Sequence, residues 1–373
     1  MIPLFKVRCP KKGDRLGKKI NDVFKSGMIT EGKYSDEFEQ MLSDYIGNPN
    51  SVLVNSCTSA LTLAYRLAGV TQGSEIIVTP LTCMATNEPA FNMGAKLVFA
   101  DIDPLTGNID PESVRKKITN KTKAISAVHW AGQPFDISEI NSIAKEHGIK
   151  VIEDAAHALG ASYKGSPIGS PHSSDYTCFS FQAIKHLTTG DGGLLACKTK
   201  EDSDRAKKLR WFGLDRKYKG NKWNQDITEC GYKFHMNNII AAIGIQQMKY
   251  IDSTVKTHRR NGLYYDKFID NPRVQKLKRP ASSKSSYWIY SLLVDDKESF
   301  REHLNSNDIA CDEVHVRNDK YSVFSDFKEE ELPGVDEFEK RMLNIPVGWW
   351  VKKRAAKRIV DVINKYENKY ENN

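Results

Sequence analysis

The chain has 373 residues, 40% hydrophobic and 27% charged, with a net charge of +8, which is room for two domains and the composition of a soluble globular protein. No run reaches the about 20 apolar residues of a membrane helix, and seven cysteines without a C-x-x-C pair point to reduced thiols, with no disulfide framework and no metal site. The basic clusters at 6–19 and 352–357 lack aromatic interleaving, zinc-finger spacing or an RNA-binding signature, so a solvated basic face or a phosphorylated small molecule is expected rather than nucleic acid.

The opening MIPLFKVRCPKK turns to charge too soon for a secretory signal, so a cytoplasmic protein is expected. From residue 51 onward short apolar runs recur: SVLV (51–54), EIIVT (75–79), KLVFAD (96–101), AISAVHW (124–130), KVIEDA (150–155), YTCFSF (176–181) and GLLAC (193–197). Helical patterns separate the early ones, at 58–68, 111–118 and 137–147. Buried strands alternating with helices predict an α/β fold with a mostly parallel seven-stranded sheet covered on both faces. A long helical pattern over 236–269 leads out of this large domain (1–250) into a smaller C-terminal α+β domain (251–373), with a strand at 287–294 and helices at 297–307 and 351–367. Trp349 and Trp350 are expected in the core of that smaller domain.

Three places put polar groups at strand or helix ends, where ligands sit in such sheets. Asp154 closes an apolar strand, and His157 follows three residues on. A buried carboxylate is costly without a cation; Asp154 either caps the next helix or keeps a heterocyclic nitrogen protonated. NSCTSAL (55–61) joins a strand to a helix; its free N–H groups and hydroxyls make an anion site, although Ser and Thr also open many helices as plain caps. Finally FSFQAIKHLTTGDGG (179–193) places Lys185 on a tight connection between two apolar strands, five residues after Ser180. Most loop lysines are merely solvated. An amine, a carboxylate and a helix-end phosphate cradle together are what pyridoxal phosphate asks of a protein.

These segments resemble the sugar aminotransferases of the DegT/DnrJ/EryC1 group, which are fold-type-I pyridoxal phosphate enzymes. The resemblance covers most of the chain and rests on SGMITEGKYSDEFE (26–39), NSCTSALTLAY, VFADIDPLTGNIDPE (98–112), VIEDAAHALGA (151–161), SFQAIKHLTTGDGG and GYKFHMNNIIAAIGIQQM (231–248), in the family's order. It implies that Lys185 bonds the cofactor and shuttles the proton, that Asp154 holds the pyridinium, and that His157 lies near the ring oxygen. Ser180, with Ser56, Cys57 and Thr58, would hold the phosphate. Lys233 would reach the phosphate of a neighbouring subunit, making a homodimer with shared sites. Cys83 stands where relatives carry an aromatic residue that stacks on the ring, which leaves Met84 or His157 to cover it. His186, His315 and Arg317 are expected on the substrate side.

The implied activity is transfer of an amino group from L-glutamate to a nucleotide-linked keto sugar, making an amino sugar for glycan or O-antigen biosynthesis. The K-x-[IL]-T-T-G pattern after Lys185 favours amination at C4 of a 4-keto-6-deoxyhexose; Asp191 is shared with enzymes acting at C3, so that alternative stays open. A reading of another class is a pyridoxal phosphate-binding regulatory protein without turnover.

Overall fold

The seven apolar runs pair into one sheet. In chain order they are β1 (Ser51–Val54), β2 (Glu75–Val78), β3 (Lys96–Phe99), β4 (Thr122–Val128), β5 (Lys150–Asp154), β6 (Tyr176–Ser180) and β7 (Gly193–Cys197). In this computed structural model, which describes residues 1–10, 14–216, 218–220, 224–328 and 331–367, the lateral order is β1–β7–β6–β5–β4–β2–β3. Only β7 runs against its neighbours; the other pairs are parallel.

Strand side chains alternate between two cores, as a pleat requires. Val52 and Val54 enter one core and Leu53 the other; Ile76 and Val78 are divided from Ile77 in the same way. Helix Cys57–Leu67 covers the first core, and helices Lys33–Ile46, Ile137–His147 and Asn238–Met248 cover the second. Because both faces are buried, the strands read as unbroken apolar runs.

The antiparallel β7 matters for function. Its first residue, Gly193, lies opposite both Val54 and Ser180, while Cys178 lies beside Asp154. The carboxyl ends of β1, β5 and β6 therefore open on one edge, with Asp154, Ser180 and the 55–58 turn together.

The helical pattern expected over 236–269 is two helices, Asn238–Met248 and Ile251–Phe268, parted at Lys249–Tyr250. The first packs in the large-sheet core, whereas Tyr265 of the second enters a third core. That core lies under an antiparallel sheet of β8 (Val274–Lys276), β9 (Tyr290–Val294) and β10 (Met342–Ile345), with helices Lys297–Ser306 and Lys353–Asn364 against it.

The N-terminal segment ties the two parts. Ile2 pairs with the chain at Asp308 and Ala310, and Leu4 and Phe5 then pass beside the carboxyl edge of the large sheet. Trp350, half-buried, packs against the third core as expected, whereas the half-buried Trp349 is not part of it; the Nε1–H groups of Trp349 and Trp350 donate to Lys6 O (3.2 Å) and Pro3 O (2.8 Å). An indole N–H needs an acceptor, and the passing backbone supplies one. Among the described residues no helix is long and apolar enough to cross a membrane.

Candidate active site

The lysine connection is a hydrogen-bonded knot rather than a loose loop. Phe181 N–H donates to Gly192 O (2.8 Å), Thr189 N–H to Phe181 O (2.9 Å) and Lys185 N–H to Gln182 O (2.9 Å). Gly190 takes φ +88°, which a side chain would strain. The knot directs Lys185 into a cavity of about 580 Å³ at the carboxyl edge of the sheet. Burial lowers the pKa of its amine to about 8, against the opposing pull of Asp154 and of Cys57 and Cys83.

Asp154 lines the same cavity, at the end of β5. Oδ1 accepts from Ala156 N–H (3.0 Å) and Oδ2 from Thr86 Oγ1–H (2.6 Å). Each oxygen keeps a further lone pair. Residues 155–161 are turns rather than a helix, so Asp154 caps none: its bond from Ala156 closes a turn, and the carboxylate still faces the cavity.

The 55–58 turn begins helix Cys57–Leu67. Ser56 caps it, accepting from Ser59 N–H (3.0 Å). That occupies the Ser56 hydroxyl and leaves the first helical N–H groups, Cys57 and Thr58, at the cavity wall without intrahelical acceptors. Gly193 makes the seat: a Cβ there would lie 2.5 Å from Ser56 O and 2.7 Å from Cys57 N. Burial pushes the Cys57 thiol well up, so it stays protonated. Ser180 completes this wall.

His157 and His315 also face the cavity, their Nε2 atoms 3.4 Å apart. Burial and the nearby Lys185 depress both imidazoles, His315 to about 3. His157 Nδ1 is buried without a partner. Cys83 lines the cavity with an exposed thiol, whereas Met84 packs against the first core.

Two expected substrate residues are not in the cavity. His186 is buried behind the knot, with Nε2 3.1 Å from Ser286 O and its ring 4.6 Å from that of His258; following Lys185 directly, it points the other way. Arg317 is neither a surface residue nor a free cation. It is 6% exposed and gives two 2.7 Å bonds to Asp319 and one to Asp336. A desolvated guanidinium requires such partners, and they hold its charge outside the cavity. Lys233 lies outside the cavity too: it is exposed, its Nζ 3.4 Å from the Trp211 ring centroid. Its carbonyl accepts a 3.4 Å bond from Asn55 Nδ2, which puts this segment beside β1 and the phosphate-type turn. Leu4, Phe5, Trp288 and Asp312 line the cavity without having been singled out in the sequence. Trp288 sits in an apolar strand-like run that reads only as core.

Against this geometry, the sequence model of the DegT/DnrJ/EryC1/StrS aminotransferase family matches residues 10–364. The chain belongs to that family. It is similar to the UDP-4-amino-4,6-dideoxy-N-acetyl-β-L-altrosamine transaminase of Campylobacter jejuni, 33% identical over 92% of each chain. It is also similar to a solved sugar aminotransferase of Micromonospora echinospora, at 34% identity and TM-score 0.92 over 98% of this chain and 99% of that one. A Streptococcus pneumoniae protein solved in what is named its PLP form shares 27% identity, with TM-score 0.87 over 97% of each chain. This chain is thus a sugar aminotransferase of the family, and its cofactor is pyridoxal 5′-phosphate. The residues present fit that group: an amine on a rigid turn, a buried carboxylate with lone pairs to spare, a helix start free for an anion, and an orphaned imidazole nitrogen.

Proposed function

We propose that the protein transfers the amino group of L-glutamate to the C4 ketone of a nucleotide-linked 4-keto-6-deoxy sugar, making an amino sugar for glycan assembly in the cytoplasm. The carrying observation is that Lys185, Asp154 and the start of helix Cys57–Leu67 share one cavity. The intact amine and the orphaned His157 Nδ1 favour turnover over a purely regulatory binder.

When bound, pyridoxal phosphate supplies a carbonyl carbon that takes an amine and a ring that withdraws electrons from the reacting carbon. The chain's residues do the rest. Lys185 Nζ takes the proton from the reacting carbon as a neutral amine and returns it as an ammonium. A pKa of about 8 keeps both forms accessible near neutrality. Asp154 offers its free lone pairs to the protonated ring nitrogen and stabilises that charge. The Cys57 and Thr58 N–H groups and the Ser180 hydroxyl bind the phosphate, aided by the helix dipole. His157, whose Nδ1 has no partner, would bond the ring oxygen. Leu4, Phe5, Trp288 and Val314 form an apolar wall that excludes water.

Amination at C4 is supported by the Thr188-Thr189-Gly190 pattern after Lys185 and by the C. jejuni relative, whose name places an amine at C4. His315 is the substrate-facing residue that the cavity contains; His186 and Arg317 are not assigned there. Lys185 is the only lysine or arginine among the described residues lining the cavity. A phosphate, a sugar-linked diphosphate and a dicarboxylic donor together need more positive charge than that. Lys233, exposed beside the Phe212 ring at 5.3 Å, is the source we assign, acting across a homodimer interface. Exposed Phe24, Met28, Ile29, Phe212 and Ile227 fit a covered face there.

The test is a panel of nucleotide 4-keto and 3-keto sugars offered with glutamate, with product position read by NMR. An amine at C4 is expected. Product only from 3-keto sugars overturns the C4 reading, and glutamate consumption with none of them overturns the substrate class.

A further inference from the structure

Trp288 is 2% exposed and stands against three parts of the site. Its Nε1–H donates to Ile184 O (3.0 Å), the residue before Lys185. Its ring stacks on His157 with centroids 3.7 Å apart and planes 10° from parallel. Lys185 Nζ lies 3.9 Å from its ring centroid, within the range at which a cation is held by an aromatic face. Phe5 packs against the indole at 5.2 Å.

The backbone behind it is fixed as tightly. Trp288 N–H donates to Ala131 O (3.0 Å), and Ala131 holds φ +55°, costly for a residue with a Cβ. At Gly132 a Cβ would lie 2.5 Å from Ser286 Oγ and 2.7 Å from His157 O. The segment carrying Trp288, just before β9, is thereby pressed onto the turn after β5 that carries His157.

We propose that Trp288 is a positioning residue for transamination, holding the free Lys185 ammonium against its indole face while fixing the plane of the His157 ring. This rests on the roles given above to Lys185 and His157. The groups that act on the amine are Asp154, Cys57 and Cys83, which raise its proton affinity, and the histidines at 157, 186 and 315. The three imidazoles are buried and held neutral, so they stay uncharged in the range where the lysine titrates. The indole face adds to the first set: it stabilises the charged form against the burial that opposes it.

The experiment uses the full chain without cofactor. The acylation rate of Lys185 is followed against pH by mass spectrometry of its peptide. For Trp288→Leu the midpoint is expected to fall by about one unit, with a smaller fall for Trp288→Phe, which keeps an aromatic face. An unchanged midpoint in either folded variant overturns the proposal. Should Trp288→Leu fail to fold, 5-fluorotryptophan labelling of the parent decides. The 19F resonance missing from Trp288→Phe should shift through the Lys185 titration and stay flat in Lys185→Met; a flat parent signal overturns the proposal. Borohydride reduction of the cofactor-loaded parent separates the two levels. Cofactor trapped on a lysine other than Lys185 sinks the underlying site reading, whereas trapping at Lys185 with an unmoved midpoint sinks only the role of Trp288.

Discussion

The roles proposed for Lys185 and Asp154 differ, and their substitutions should fail differently. Lys185→Ala should abolish transamination and leave the cofactor held only noncovalently, read as loss of borohydride-trapped mass with the phosphate wall intact. Asp154→Asn keeps size and its bond from Ala156 but removes the charge opposite the ring nitrogen. Loss of one oriented electrostatic contact in a water-poor site costs about 3–4 kcal/mol, so single-turnover amino transfer from glutamate should slow by on the order of a hundredfold at matched cofactor occupancy. An unchanged rate would leave Asp154 only its turn-closing bond from Ala156. Lys185 also sets a pH dependence of stability in the cofactor-free protein. Its pKa falls from 10.5 unfolded to about 8 folded, so between those values the unfolded chain binds more protons and stability rises with pH. Below about 8 both states are protonated and the burial cost is fully present. The melting temperature of the parent relative to Lys185→Met should therefore climb from pH 8 toward 10.5 and be flat below 8.

At the scale of elements, the strands of the large sheet were legible because both faces of the sheet are buried, so each strand is a plain apolar run between turns. Helix Cys57–Leu67 was legible from its Ser56 cap. The break at Lys249–Tyr250 was not: no Gly or Pro marks it, and the apolar period continues across it. Arg317 was misread for a related reason. Its partner Asp319 is two residues away but Asp336 is nineteen, and only the fold brings the second carboxylate in. Gly244, inside a helical pattern, looks like a weak point, since Ala would gain about 1 kcal/mol of helix propensity. The packing reverses that sign. A Cβ at Gly244 would lie 2.4 Å from Phe38 Cζ on the facing helix. Overpacking of a tight core costs about 1–3 kcal/mol, so Gly244→Ala should be neutral to about 2 kcal/mol destabilising. A urea midpoint raised above the parent's would show that Phe38 can move aside.

The whole molecule raises the question of where the missing charge comes from. Among the described residues one chain supplies the cavity with a single lysine, while Lys233 sits exposed on a segment that runs beside β1, next to the turn proposed to bind phosphate. Burial and the neighbouring Arg216 lower the Lys233 pKa against the pull of Glu31, and its amine rests on the Trp211 ring. An ammonium placed there is ready to meet an anion presented by another molecule. In a two-fold dimer each such residue reaches the other chain's site, because the contact is reciprocal. Lys233→Ala should then weaken cofactor binding, and complementation gives the sharper reading. Lys185→Ala and Lys233→Ala homodimers are each impaired, but in a mixed dimer one site combines the intact Lys185 of one chain with the intact Lys233 of the other. Random exchange makes half the dimers mixed, each with one complete site, so activity should return to about a quarter of the parent level. No recovery after verified subunit exchange, or full activity from a monomer, would mean that each chain completes its own site and that Lys233 serves only the surface on which it lies.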